Sequence, residues 1–83
     1  MTKYNWKKVG KSGDEKQMTV SYQMEGKPHI TVESRRRQIP HANGIGSWTF
    51  TSYFVVMGGY DIAEKNRLID AEEYAEKLED GEL

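Results

Sequence analysis

A chain of 83 residues, 36% hydrophobic and 30% charged, makes one small domain and leaves no room for a second core. It holds no cysteine, which excludes disulfides and zinc–thiolate sites, and no apolar run approaches the roughly 18–20 residues that cross a bilayer. The formal net charge of −1 hides a sorted chain, with nine Lys/Arg against four acids in residues 1–37 and three against nine in residues 38–83.

Leu, Ile, Val and Phe total only 15 residues, but nine aromatic rings and a net charge near zero favour folding over disorder. Residues 1–16 read as a basic, partly flexible lead-in. Trp6 and Val9 are its strong apolar anchors, and Gly10 to Asp14 is turn chemistry. The polar start lacks the apolar stretch of a secretory signal, and with the missing cysteines this leads us to expect a cytoplasmic protein.

Alternation begins at residue 18. Met18, Val20, Tyr22 and Met24 share one side of a half-buried strand, with Thr19, Ser21 and Gln23 on the other. Glu25-Gly26-Lys27-Pro28 is a turn, and Ile30 and Val32 resume the pattern. A hairpin of roughly residues 17–24 with 29–36 follows.

The strongest apolar segment runs from Trp48 to Met57 and predicts a central strand, since Tyr53 to Met57 is apolar on both faces. Trp48, Phe50, Tyr53 and Phe54 are expected to pack in the core rather than stack on bases. The Trp6 segment is a candidate second cover. Gly58-Gly59 permits a tight hairpin. For residues 60–69, a short strand and turn is preferred over a helix starting near Asp61.

The last element reads as a helix. Asp70 fits an N-cap, with Glu73 closing a capping box and Ile69–Tyr74 as a hydrophobic staple. Ala71, Tyr74, Ala75 and Leu78 form the apolar stripe, and Gly81 ends it. Its glutamates are expected to face solvent, and residues 80–83 to form a frayed tail. The expected fold is therefore α+β, a three- to four-stranded antiparallel sheet with one C-terminal α-helix packed on one face.

Residues 37–47 form a long hairpin loop or arm. Asn43-Gly44 signals a two-residue type I′ turn, which sets Ala42 opposite Ile45, Ile39 opposite Trp48, Arg37 opposite Phe50 and Val32 opposite Val55. Arg35, Arg37 and Ile39 then face away from Ile30 and Val32, so a bulge or break is expected near Arg36–Pro40. Pro40 has no N–H to give a ladder and belongs on an edge or beyond the sheet.

Three consecutive arginines on a strand present planar donor forks on both of its faces. Arg35, Arg36, Arg37, Gln38, Ile39, Pro40, His41 and Asn43 are therefore candidate contacts to a nucleic acid or a protein partner, with Lys7, Lys8 and Lys11 adding phosphate contacts. A β-ribbon with an apolar Ile39-Pro40 end can enter a groove. Over about a dozen residues it resembles the proline-tipped arms of bacterial architectural DNA-binding proteins. That resemblance implies DNA contact by the arm, while the rest of the chain lacks that family's helical body. The same arginines also suit a solvated edge that blocks strand-to-strand aggregation, or an acidic protein surface. A pI of about 6.1 is unlike a packaging protein that is basic throughout.

Other motifs carry less. Asn43-Gly44-Ile45-Gly46-Ser47 is followed by β-favouring residues instead of the helix a phosphate cradle needs. Gly10-Lys11-Ser12-Gly13 lacks the earlier glycine of a nucleotide loop. His29, His41 and Glu33 have no metal-ligand spacing, and Ser47, His41 and Asp61 do not sit on a nucleophile turn. The expectation is a non-catalytic binding module without a cofactor, contacting nucleic acid through the arm. The alternative is a small protein-directed inhibitor or adaptor of the phage or mobile-element type; a small-ligand binder with 37–47 as its lid ranks third. The sequence leaves the oligomeric state open.

Overall fold

Alternation on β-favouring residues, punctuated by Gly turns, folds this chain into an antiparallel meander. The computed structural model describes residues 2–82. Within them lie β1 (Trp6–Gly13), β2 (Gln17–Met24), β3 (Lys27–Pro40), β4 (Ser47–Met57), β5 (Tyr60–Lys65) and α1 (Leu68–Glu79), with the strands in sequence order across one sheet. The α+β class is as expected, but the described residues hold five strands, not three or four. The added strand is β1, which takes up half of the expected lead-in. Residues 1 and 83, the extremes of the expected lead-in and tail, lie outside the described residues.

The core lies between α1 and one face of the sheet. Met24, Ile30, Val32 and Val55 are buried there against Ala71 and Ala75, flanked by Tyr4, Trp6, Tyr22, Tyr53, Tyr74 and Leu78. Small alanines let the helix approach closely, and the aromatic rim supplies much of the buried area. Trp6 does not cover the second face. It sits on the helix side, paired with Met24, so the described residues supply no covering element to the opposite face of the sheet.

Turn chemistry accounts for the connections. Gly58 and Gly59 both take positive φ, at 62° and 83°, as a two-residue type I′ turn requires. Asn43-Gly44 does not form such a turn. No non-Gly residue has positive φ among the described residues, and Asn43 instead accepts the Ile45 N–H on its side chain at 3.0 Å. The loop widens to residues 41–46, closed by the His41 N–H donating to the Gly46 carbonyl at 3.2 Å. The register survives because the wider loop is centred on the same two residues. Ile39 pairs with Trp48, Arg37 with Phe50 and Val32 with Val55.

The bulge expected near Arg36–Pro40 is absent. β3 and β4 pair without a shift from Ile30↔Met57 to Pro40↔Ser47. The helix covers only the body end of the ribbon, so beyond it no buried face must be kept and residues on the open face need not switch sides. Pro40 ends β3. Two residues earlier the Gln38 N–H donates to the Lys16 carbonyl at 2.9 Å, so the Pro40 nitrogen points the same way, past the end of β2, where no donor is required.

The helix begins at Leu68, with Arg67 as an extended N-cap lacking a side-chain cap bond. The capping box expected at Asp70 and Glu73 is not formed. Asp70 lies within the first turn, held by Arg67 through two contacts of 3.0 Å, where its charge still opposes the helix dipole.

Candidate functional site

Register and the period of two divide the candidate side chains between the faces of the sheet. On the face without a helix, β3 contributes Glu33, Arg35, Arg37 and Ile39, β4 contributes Trp48, Phe50, Ser52 and Phe54, and β2 contributes Gln17 and Thr19. Arg36, Gln38 and Pro40 fall on the other side, with Lys8 and Lys11 of β1. Lys7 shares the open face, but its row, through Gln23 and Thr31, is six β3 residues from Arg37, or about 20 Å at the usual strand rise. The structure thus gathers Arg37 and Ile39 with two aromatic rings, places Arg36 behind them, and leaves Lys7 apart.

The three arginines differ in their surroundings. Arg35 forms a bidentate pair with Asp61 at 2.8 and 2.9 Å, contacts Glu33 at 2.6 and 2.9 Å, and lies over the Phe54 ring at 4.1 Å. Its hydrogen bonds to Asp61, then those to Glu33, raise its pKa further, and they hold the Asp61 carboxyl below the usual carboxylate range. Arg35 is therefore a neutralised tie between β3 and β5. Arg36 and Arg37 are exposed and have no ion-pair partner among the described residues. All three stand on an interior strand, since Arg37 is flanked by Gln17 of β2 and Phe50 of β4. The aggregation-blocking reading, which needs a sheet edge, does not hold at this place.

The aromatic residues divide as well. Tyr53 packs toward the core as expected. Trp48 is 60% exposed and Phe50 48% on the face without a helix, beside Ile39, and Phe54 lies half-buried on that same face under Arg35, so for these three the expectation of core packing is overturned. The register of Trp48 and Phe50 with Ile39 and Arg37, opposite to Ile30 and Val32, already placed them on the uncovered face; the strand's apolar character concealed it. Beside Phe50 the same face forms an open concavity of about 470 Å³, lined by Gln17, Thr19, Arg35, Arg36, Arg37, Ser52 and Phe54 and reaching Glu64.

The loop supports this patch. His41 Nδ1–H donates to the Ile45 carbonyl at 2.8 Å, and its ring meets Trp48 edge-on at 4.6 Å and 61°. Gly46 lies so near His41 that a Cβ there would come within 3.3 Å of Nδ1. Trp48 is thus braced on one side and open on the other. His41 is bound to Ile45 and Asp61 to Arg35, so neither takes part in an arrangement with Ser47. Among the described residues no group of three or more His, Cys, Asp or Glu could hold a metal ion, and no helix is long and apolar enough to cross a membrane.

The acidic helix is not the solvated face expected. Glu76 is buried and accepts N–H groups from Lys3, Tyr4 and the Trp6 indole at 2.8, 3.1 and 2.8 Å. Glu79 binds Lys27 at 3.0 Å and His29, while Asp80 binds Lys3 at 3.0 Å and the Tyr4 hydroxyl. Much of the chain's sorted charge is therefore paired internally. Of the basic residues in positions 1–37, Lys7, Lys8, Lys11, Lys16, Arg36 and Arg37 remain without an ion pair among the described residues. Lys16, which the sequence reading did not select, flanks the arm through its contact with Gln38.

Comparison with protein-family models, curated proteins and solved structures gives no match.

Proposed function

We propose that this protein is a non-catalytic nucleic-acid-binding module whose contact surface is the β3–β4 ribbon beyond the helix. The observation that carries the reading is the placement of Arg36 and Arg37. They are exposed and without an ion pair among the described residues, and they point to opposite faces of the sheet where it extends beyond the helix. Free guanidinium groups so placed can meet phosphates on either side, with Lys11 and Lys16 nearby as further cations. The alternative, a protein-directed adaptor or inhibitor, draws support from Ile45, 76% exposed at the ribbon's end.

Fluorescence anisotropy with labelled DNA at about 50 and 200 mM salt tests the proposal. Binding is expected to weaken steeply with salt, and Arg36→Ala/Arg37→Ala to reduce both affinity and salt slope while the urea midpoint stays fixed. Arg35→Ala should instead lower stability by about 1 kcal/mol, since its partly exposed pairs are screened by solvent. Absence of binding at the lower salt overturns the reading and favours the adaptor.

A further inference from the structure

We infer that the ribbon's ligand is an unpaired nucleic-acid strand whose bases stack on Trp48 and Phe50; this rests on the nucleic-acid reading and narrows it to single strands. Duplex DNA presents phosphates and base edges, and its base faces are covered by their neighbours. Exposed aromatic faces gain little from such a surface, whereas an unpaired base can lie flat on them.

Spacing agrees. Trp48 and Phe50 are two residues apart on β4, about 6.8 Å at the antiparallel rise, which is twice the roughly 3.4 Å between successive nucleotides of a duplex strand. Only a strand with its bases splayed apart can place neighbours on both rings. Trp48 is held for this role by the His41 edge, and His41 in turn by Ile45, so little side-chain freedom remains to be lost on binding.

The track has a direction and an end. Arg37 stands across from Phe50, where it can meet the phosphate between two stacked nucleotides. Past Phe50 the concavity offers the hydroxyls of Thr19 and Ser52 and the amide of Gln17, polar groups suited to a base edge. At its inner end stand Arg35, already neutralised, and the carboxylate of Glu64. A phosphate gains nothing there. The face accordingly suits about three nucleotides, one for each row at Trp48, Phe50 and the concavity.

The test is anisotropy with labelled dodecamers of oligo(dT), oligo(U) and a duplex of equal length in about 50 mM salt. The first two separate DNA from RNA. A single strand is expected to bind at least tenfold more tightly than the duplex. Trp48→Ala and Phe50→Ala should each weaken it about 5- to 150-fold, and Trp48→Tyr should restore most of the loss. Both rings lie outside the core, so circular dichroism and the urea midpoint should not move. If single strand and duplex bind alike, and only the arginine changes matter, the stacking inference falls and the broader proposal stands. If no nucleic acid binds, both fall. A concentration-dependent dimer in sedimentation, abolished by Trp48→Ala, would assign the patch to a second copy and overturn the inference.

Discussion

Glu76 shows how one side chain can decide where a segment goes. It is the one buried charged residue among those described, at 3% exposure, and a buried carboxylate is tolerable only with donors around it. The donors come from Lys3, Tyr4 and Trp6, some seventy residues away, which is why the helix pattern gave no hint. On the helix alone Glu76 follows Ala75 at the margin of the apolar stripe and looks like one more solvated acid. Replacing it by Ala leaves three inward-facing donors without an acceptor. Glu76→Ala is expected to cost about 3 kcal/mol, and Glu76→Gln less, because a carboxamide oxygen still accepts. Urea unfolding followed by circular dichroism measures this, and an unchanged midpoint for Glu76→Ala would show that the lead segment is held by packing alone.

Elements set by local patterning were legible; those set by distant contacts were not. The β2–β3 hairpin, the β3–β4 register and the Gly58-Gly59 turn each follow from alternation or turn chemistry within a short window. β1 escaped because its pattern is broken. The register shifts between Lys8 and Gly10, so Trp6, Lys8 and Lys11 share a face without simple alternation, and five lysine and glycine positions dilute the apolar signal. The helix start was misplaced at Asp70 because capping chemistry is local, whereas Leu68 is drawn into the helix by packing against the core. Of the site, the arginine arm and its register were readable, and the exposure of Trp48 and Phe50 was not, since it depends on the Trp6 segment packing on the helix side and leaving their face uncovered. The turn from β1 into β2 is closely constrained. Gly13 sits there at φ 100°, and a Cβ would come within 2.0 Å of the Gln17 carbonyl oxygen, a backbone atom that cannot turn aside. Gly13→Ala is therefore expected to destabilise by about 2 kcal/mol or more. Gly26→Ala, with φ 77° but open space around its Cβ, should cost about 1 kcal/mol from backbone strain alone. Equal effects in thermal melts would mean that the β1–β2 turn relaxes freely.

The whole molecule is elongated, 48 × 23 × 22 Å with a radius of gyration of 14.3 Å, where about 12 Å is usual for a compact chain of this length. The ribbon supplies that length, and the body supplies the charge pairing. Folding brings the basic first half against the acidic second half, through Lys3 to Asp80, Lys27 and His29 to Glu79, and Arg35 to Asp61. Each of these carboxyls is held below its ordinary pKa: Asp61 by Arg35, Glu79 by Lys27 and then His29, Asp80 by the Tyr4 hydroxyl and then Lys3. Asp14 and Asp70 are lowered too, by the Lys16 and Gln17 backbone N–H groups and by Arg67. A carboxyl that is more acidic in the folded state adds stability that is present above its unfolded pKa, about 4, and is lost as pH falls through the folded value. Glu72 opposes this, since burial and then Glu76 raise its pKa; it favours the fold below its unfolded pKa and loses that contribution as pH rises through the folded value. With five lowered groups against one raised, the melting temperature should change little between about pH 8 and 5 and fall below about pH 4. The fall should be shallower in about 0.5 M salt, because the pairs are exposed and screened. Glu79→Gln removes the partner of both Lys27 and His29, so it should lower the melting temperature near neutrality and flatten the acid limb. A melting temperature that rises on acidification, or a Glu79→Gln curve parallel to that of the parent, would show that these pairs do not join the two halves.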